Sequence, residues 1–334
     1  MNKTVLFSIL ICNLSFAQLS DFKNIDFTRA DHIAELNANS SLDNLPILAY
    51  NLTSKLPTEV EKFRAIYTWV CANVTGDPNQ HNTITSMRQK LSNDSIAFLN
   101  WNHEYNKLVF KKLLKHKKTM CTGYAYLIKE LCFLSGLDCK IIDGYARGIA
   151  SNVTKLEAPN HSWNAVKLNN KWYLCDATWS SGYMISDAVF VKEYNEGYFL
   201  ADPVLFAKSH YPLHKKWLLN ETLTQTEFVA GPLIYSETFK HNIIPVAPEK
   251  MKCSVEKNSE VTFSFKSTKD ISLDKISLVK LTITNEKNLK IYDLKTEGEV
   301  IEFKHLFKHR GLYDVHLKIN NDIVATYTIH VTKI

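Results

Sequence analysis

Two adjacent asparagines, Asn169 and Asn170, constrain this chain more than any other feature of its sequence. Asn tolerates positive φ, and a two-residue loop of that kind joins antiparallel strands through a turn whose twist matches theirs. The flanks read as strands, Ser162 to Leu168 before the turn and Lys171 to Ala177 after it. A turn that joins Leu168 directly to Lys171 fixes every pair outward from it. Trp163 then faces Asp176, and His161 faces Thr178. His161 and Asp176 share one face in diagonal register, close enough for the carboxylate to hold the imidazole. A one-residue slip would send them to opposite faces. Alone, the pair leaves two readings open: an oriented imidazole, or an exposed histidine beside a structural aspartate.

Helical signals precede the hairpin. Thr58 and Glu61 have the spacing of a capping box, and Val60, Phe63, Ile66, Tyr67 and Val70 follow at helical period up to Gly76-Asp77-Pro78. A second helix is expected over 103–117. A third runs from Cys121 to Ser135, with Gly136 where a C-terminal cap belongs. A strand over Lys140 to Tyr145 comes next. Residues 18–57 read as loop with a short helix, 79–101 as polar and weakly patterned, and 182–248 as irregular aromatic-rich chain. From about 250 short alternating runs (Val261–Phe265, Ile276–Ile283, Val300–Phe303, Tyr313–Ile319, Ile323–Val331) are separated by polar turns, the pattern of a small β-sandwich. Helices first and antiparallel strands after them define an α+β fold.

The N-terminus carries a targeting pattern. Lys3, an apolar run from Val5 to Cys12, and Ser15-Phe16-Ala17 before Gln18 form a secretory signal peptide expected to be cut after Ala17. The expected organisation is therefore 1–17 signal peptide, 18–249 α+β domain with an irregular C-terminal extension and 250–334 β-sandwich, in a secreted or periplasmic protein. No later run is long and apolar enough for a transmembrane helix. Six cysteines remain after residue 17, sparse for more than 300 residues; only Cys132 and Cys139 are close enough in sequence to suggest a bridge. The net charge is +6, nearly all the cations are Lys, and arginine occurs only at Arg29, Arg64, Arg88, Arg147 and Arg310. Readers of nucleic-acid bases lean on Arg forks, so no nucleic-acid partner is expected. The lysines between Lys111 and Lys118 read as a solvated helix face, since no aromatic residues interleave with them.

Cys121 falls at the start of the third helix. Free backbone N–H groups and the positive end of the helix dipole favour a thiolate there and can hold an oxyanion. A buried structural cysteine is the competing reading. With His161 and Asp176 it completes a nucleophile, a base and a group orienting the base. No metal-ligand spacing or phosphate-cradling Gly loop is present, and no cofactor is expected.

These residues resemble the transglutaminase-like superfamily, which has a papain-like fold, and more closely its kyphoscoliosis-peptidase type. The matching segments are Phe63-Arg64-Ala65-Ile66-Tyr67-Thr68-Trp69-Val70, Cys121-Thr122-Gly123-Tyr124-Ala125, His161-Ser162-Trp163-Asn164-Ala165-Val166 and Trp172-Tyr173-Leu174-Cys175-Asp176-Ala177-Thr178-Trp179. Tyr198-Phe199-Leu200-Ala201-Asp202-Pro203, Tyr211-Pro212 and Trp217 follow, so the similarity covers about 60 to 220. The resemblance implies helices packed on an antiparallel sheet, with Cys121 as nucleophile, His161 as general base and acid, and Asp176 as orienter. It also implies a thiol hydrolase acting on peptide or protein amide bonds. A protein cross-linking transglutaminase and a catalytically silent binding or scaffold module are the alternatives. The trailing Ig-like sandwich would serve to engage a surface polymer or a protein partner.

Overall fold

The computed structural model describes residues 19–333 except 92, 150, 152–154, 157–158, 187, 220–221 and 282–284. The expected signal peptide lies outside the described residues. Helices α1 (Thr28–Leu36), α2 (Leu45–Thr53) and α3 (Glu59–Asn73) open the chain. Strand β1 (Thr75–Gly76), α4 (Pro78–Lys90), α5 (Ser95–His116), β2 (Lys118–Thr119) and α6 (Cys121–Leu134) follow. The capping box forms at the head of α3. At the far end of α6, Gly136 takes φ 75°. Its N–H reaches the Phe133 carbonyl and the Leu137 N–H reaches that of Cys132, a Schellman closure.

Local sequence signals understate three of these helices. α1 and α2 are short, and their buried residues, among them Ala30, Ile33, Leu48 and Leu52, join the core cluster built around α3 and α6. α4 is rich in Asn and Thr, poor helix formers, and starts on an Asp77 cap with Pro78 in its first turn. Tertiary packing and capping stabilise what hydrophobic periodicity does not reveal. α5 begins eight residues before the expected start at 103.

The central sheet is built from β3 (Asp138–Ala146), β4 (His161–Leu168), β5 (Lys171–Cys175) and, further on, His210–Pro212. Asn169 and Asn170 take φ 50° and 63°, the two left-handed residues of a type I′ turn. Leu168 pairs with Lys171, and the register holds to Asn164 opposite Cys175. The chain then leaves the strand, because Asp176 caps the short helix α7 (Ala177–Ser181). The hairpin of β6 (Gly182–Ile185) and β7 (Val189–Lys192) and the one-turn helix α8 (Pro203–Phe206) lead to β8 (His210–Pro212). The sheet order is β5-β4-β3-β8, antiparallel throughout. The region 182–248 is thus less irregular than its composition suggests.

Two sheets form the C-terminal sandwich around a shared apolar core that includes Phe263, Phe303, Leu317 and Tyr327. One contains β10 (Ile243–Ala247), β12 (Ser259–Ser267), β15 (Tyr292–Glu297) and β16 (Val300–Phe307). The other contains β11 (Lys252–Glu256), β13 (Ile276–Leu281), β14 (Glu286–Leu289), β17 (Gly311–Ile319) and β18 (Asp322–Thr332), and β18 also pairs with β9 (Leu233–Ile234). The sandwich therefore draws strands from residues 233–247. No described helix is long and apolar enough to cross a membrane. Lys112 pairs with Asp77, and Lys117 lies over the Trp69 ring.

Candidate active site

Cys121 is the first residue of α6, directly after β2. β2 runs parallel to β1, and the Asp77 N–H bonds the Thr119 carbonyl, so the start of α6 is held by a short two-strand clamp. Gly123 permits that clamp, since a Cβ there would overlap the Thr119 side chain. Met120 gives no side-chain cap, which leaves the amide end of α6 open at Cys121.

The helix is tied to the sheet by two contacts. Asn164 Nδ2 donates to the Ala125 carbonyl of α6 at 3.0 Å and to the Lys140 carbonyl of β3 at 3.3 Å. Thr122 and Ser162 hydroxyls lie 3.4 Å apart, and Ser162 donates to Asp143 at 2.7 Å. These contacts bring Cys121 beside His161, the first residue of β4, close enough for each to shift the proton affinity of the other.

His161 is buried, and its Nε2 lies 2.7 Å from Asp176 Oδ2. Asp176 is fully buried and satisfied on both oxygens. Oδ1 accepts the N–H groups of Thr178 and Trp179 at 2.8 and 3.2 Å, capping α7. Oδ2 accepts from His161 and also from His210, whose Nε2 is 3.2 Å away.

The electrostatics follow from this geometry. Burial disfavours the Asp176 anion, yet the charges and hydrogen bonds of His161 and His210 outweigh it and hold the carboxyl well below its ordinary range. Burial also opposes charge on His161, but Asp176 and the Cys121 sulfur raise the ring to about 10. At Cys121 burial pushes the thiol up; the bond to His161, the charge of that ring and the Ser162 backbone overcome it, and the pKa falls below 9.0. A thiolate beside an imidazolium combines a nucleophile with a proton donor.

The structure brings all three sequence-selected residues together. Sequence reasoning missed His210, the second imidazole on the carboxylate. Its only signal was its place immediately before Tyr211-Pro212. Trp69, in the first matching segment, is buried in the core and donates to the Asn37 carbonyl at 2.7 Å. The six described cysteines are free thiols, Cys132 and Cys139 included.

The ligating atoms of His161, Asp176 and His210 lie within 4.8 Å of one another. A tetrahedral zinc would spread its N and O ligands to about 3.3 Å. The 2.7 Å separation of His161 from Asp176 is that of a proton shared between them.

Residues 47–177 match the sequence model of the transglutaminase-like superfamily. Helices α3 to α6, strands β3 to β5 and the residues Cys121, His161 and Asp176 lie within that segment, and the chain belongs to this superfamily. Within it, the chain is of the kyphoscoliosis-peptidase type. It is 30% identical over 235 residues to kyphoscoliosis peptidase of Homo sapiens, an alignment covering 69% of this chain and 32% of that protein. It is 25% identical over 234 residues to hillarin of Drosophila melanogaster, covering 66% of this chain and 26% of that protein. The chain thus spans about a third or less of the length of these relatives. Among solved structures, the Lin-41 filamin domain aligns over 31% of this chain and 98% of its own, with 9% identity and a TM-score of 0.23.

Proposed function

We propose that this protein is an exported, cysteine-dependent acyl-transfer enzyme that hydrolyses peptide or protein amide bonds. The observation that carries the reading is a single imidazole, His161, placed beside the Cys121 thiol at the start of α6 and held by Asp176 Oδ2 at 2.7 Å. In the first half-reaction the Cys121 thiolate adds to the amide carbonyl. The backbone N–H at the open start of α6 faces the oxyanion. His161 gives its proton to the departing amine as the C–N bond breaks, leaving an acyl-thioester and a neutral ring. In the second, His161 takes a proton from water as its oxygen attacks the thioester, and the thiolate leaves. Asp176 stays ionised and holds the ring in orientation throughout.

The family supports acyl transfer through a cysteine, and the peptidase name of the human relative supports hydrolysis over cross-linking. The Lys3-to-Ala17 leader pattern supports export to a secreted or periplasmic location. The sandwich is the part of the chain suited to engaging a surface polymer or protein partner. The test is a peptide-library digest read by mass spectrometry. Wild-type protein is expected to generate new termini that Cys121→Ala does not. Identical product sets from the two proteins would overturn the reading.

A further inference from the structure

Asp176 serves two imidazoles, and the reaction proposed above uses only one. His210 lies on β8, at the opposite edge of the sheet from β5. Its ring reaches the carboxylate across β3, where Gly144 pairs with both His161 and Pro212. A Cβ on Gly144 would collide with the Trp163 ring and the Tyr211 carbonyl. The missing side chain lets β8 and the Trp163 ring close on β3, and the His161 and His210 rings lie 5.4 Å apart between centroids.

The surroundings define the state of His210. It stacks on Phe206 at 4.0 Å, with Trp179 at 4.5 Å and Trp163 at 5.2 Å. Such an aromatic enclosure has no water to solvate a cation. Nε2 faces the Asp176 carboxylate at 3.2 Å, and an ionised carboxylate only accepts, so the ring proton sits on Nε2 and the Ser209 hydroxyl, 2.9 Å from Nδ1, donates to that nitrogen. The ionisable groups facing the ring are Asp176 and His161, and the Phe206 backbone also bears on it. Burial outweighs the pull of Asp176 and lowers His210 to about 4, so the ring is neutral at physiological pH.

We propose that His210 is a positioning residue: a neutral N–H donor that fixes Asp176 Oδ2 and thereby sets the orientation and proton affinity of His161 against Cys121. The inference rests on Cys121 being the nucleophile. With both carboxylate oxygens saturated by N–H groups, Asp176 cannot rotate away from His161 and does not take its proton. Because His210 carries no charge, it adds no repulsion when His161 becomes an imidazolium. Outer hydrogen bonds of this kind hold a reacting group in its productive geometry before reaction begins.

The experiment uses full-length protein and follows the rate of iodoacetamide labelling of Cys121 against pH, alongside a thermal melt. His210→Phe keeps an aromatic ring but removes the donor; His210→Gln keeps a side-chain N–H. His210→Phe is expected to raise the thiol midpoint by about one pH unit, roughly a tenfold loss of thiolate below the midpoint. His210→Gln should recover most of that shift. A role in packing alone would lower the melting temperature and leave the midpoint unmoved, which overturns the proposal. If His210→Phe does not fold, Ser209→Ala takes its place, with an expected rise of about half a unit because the tautomer is no longer fixed; no rise overturns the proposal. A wild-type midpoint at the ordinary thiol value overturns the nucleophile reading itself, and the proposal with it.

Discussion

The Cys121 thiol and the His161 ring pull each other's proton equilibria apart, one down and one up to about 10. Thiolate therefore accumulates at a pH below the ordinary 9.0, while His161 keeps its proton until the pH passes about 10. Alkylation of Cys121 is expected to rise with a midpoint below that of the other described cysteines with a resolved shift, Cys71, Cys132, Cys175 and Cys253, which burial pushes upward. Mass-spectrometric labelling of each thiol from pH 5 to 10 checks it. In the proposed reaction, turnover should fall at the alkaline end, as His161 loses the proton assigned there to the leaving group. The two residues and Asp176 were legible because turn chemistry and a helix start are local signals. His210 was not. It reaches Asp176 from a strand 34 residues further on, across an intervening chain with little periodicity.

Elements with strong local signals formed where the sequence places them: α3 with its capping box, α6 with its glycine closure, and the β4–β5 hairpin with its asparagine turn. Those held by packing escaped, including α1, α2 and the strands β9 and β10. Gly144 shows how an element can depend on an absence. Gly144→Ala would force β3 away from Tyr211 or displace Trp163. Overpacking of this kind costs about 1–3 kcal/mol. A lower melting temperature is expected, accompanied by a higher Cys121 midpoint if β8 moves with the strain. A variant with unchanged melting and labelling would contradict this account of the sheet.

The sandwich and the helical core share side-chain contacts as well as chain. Thr238 donates to the Val324 carbonyl of β18, and the Tyr235 hydroxyl lies 2.6 Å from that of Thr326. His241 Nε2 lies 2.7 Å from Asp322. Arg147, buried beyond β3, donates to the carbonyls of Gly231 and Pro232 at 2.7 Å. Phe239, in this joining region, stacks on Tyr198 at 4.1 Å, and the Tyr198 carbonyl accepts the Asp176 N–H. Deleting residues 250–334 would strip β9 and β10 of their strand partners. The truncated chain is expected to melt well below the intact protein, and Cys121 labelling should lose its low midpoint at the same temperature. Retention of both would show that the core folds independently. The changed texture after residue 250 was legible in the sequence; the upstream strands that knit the sandwich to the core were not, since β9 is two residues long and β10 contains a proline.

Asp176 does two jobs with two oxygens, one starting α7 and the other steadying His161. Asp176→Asn can keep the amide-accepting oxygen while losing the negative charge. It should melt near wild type but lose thiolate character at neutral pH by at least tenfold. Asp176→Ala abandons both tasks and should also lose about 1 kcal/mol of stability, as cap removals do. Melting curves paired with labelling rates separate the two variants. A lineage drifting toward a non-enzymatic life thus meets a toll at this position: of these two replacements, only the amide silences the chemistry without loosening the scaffold.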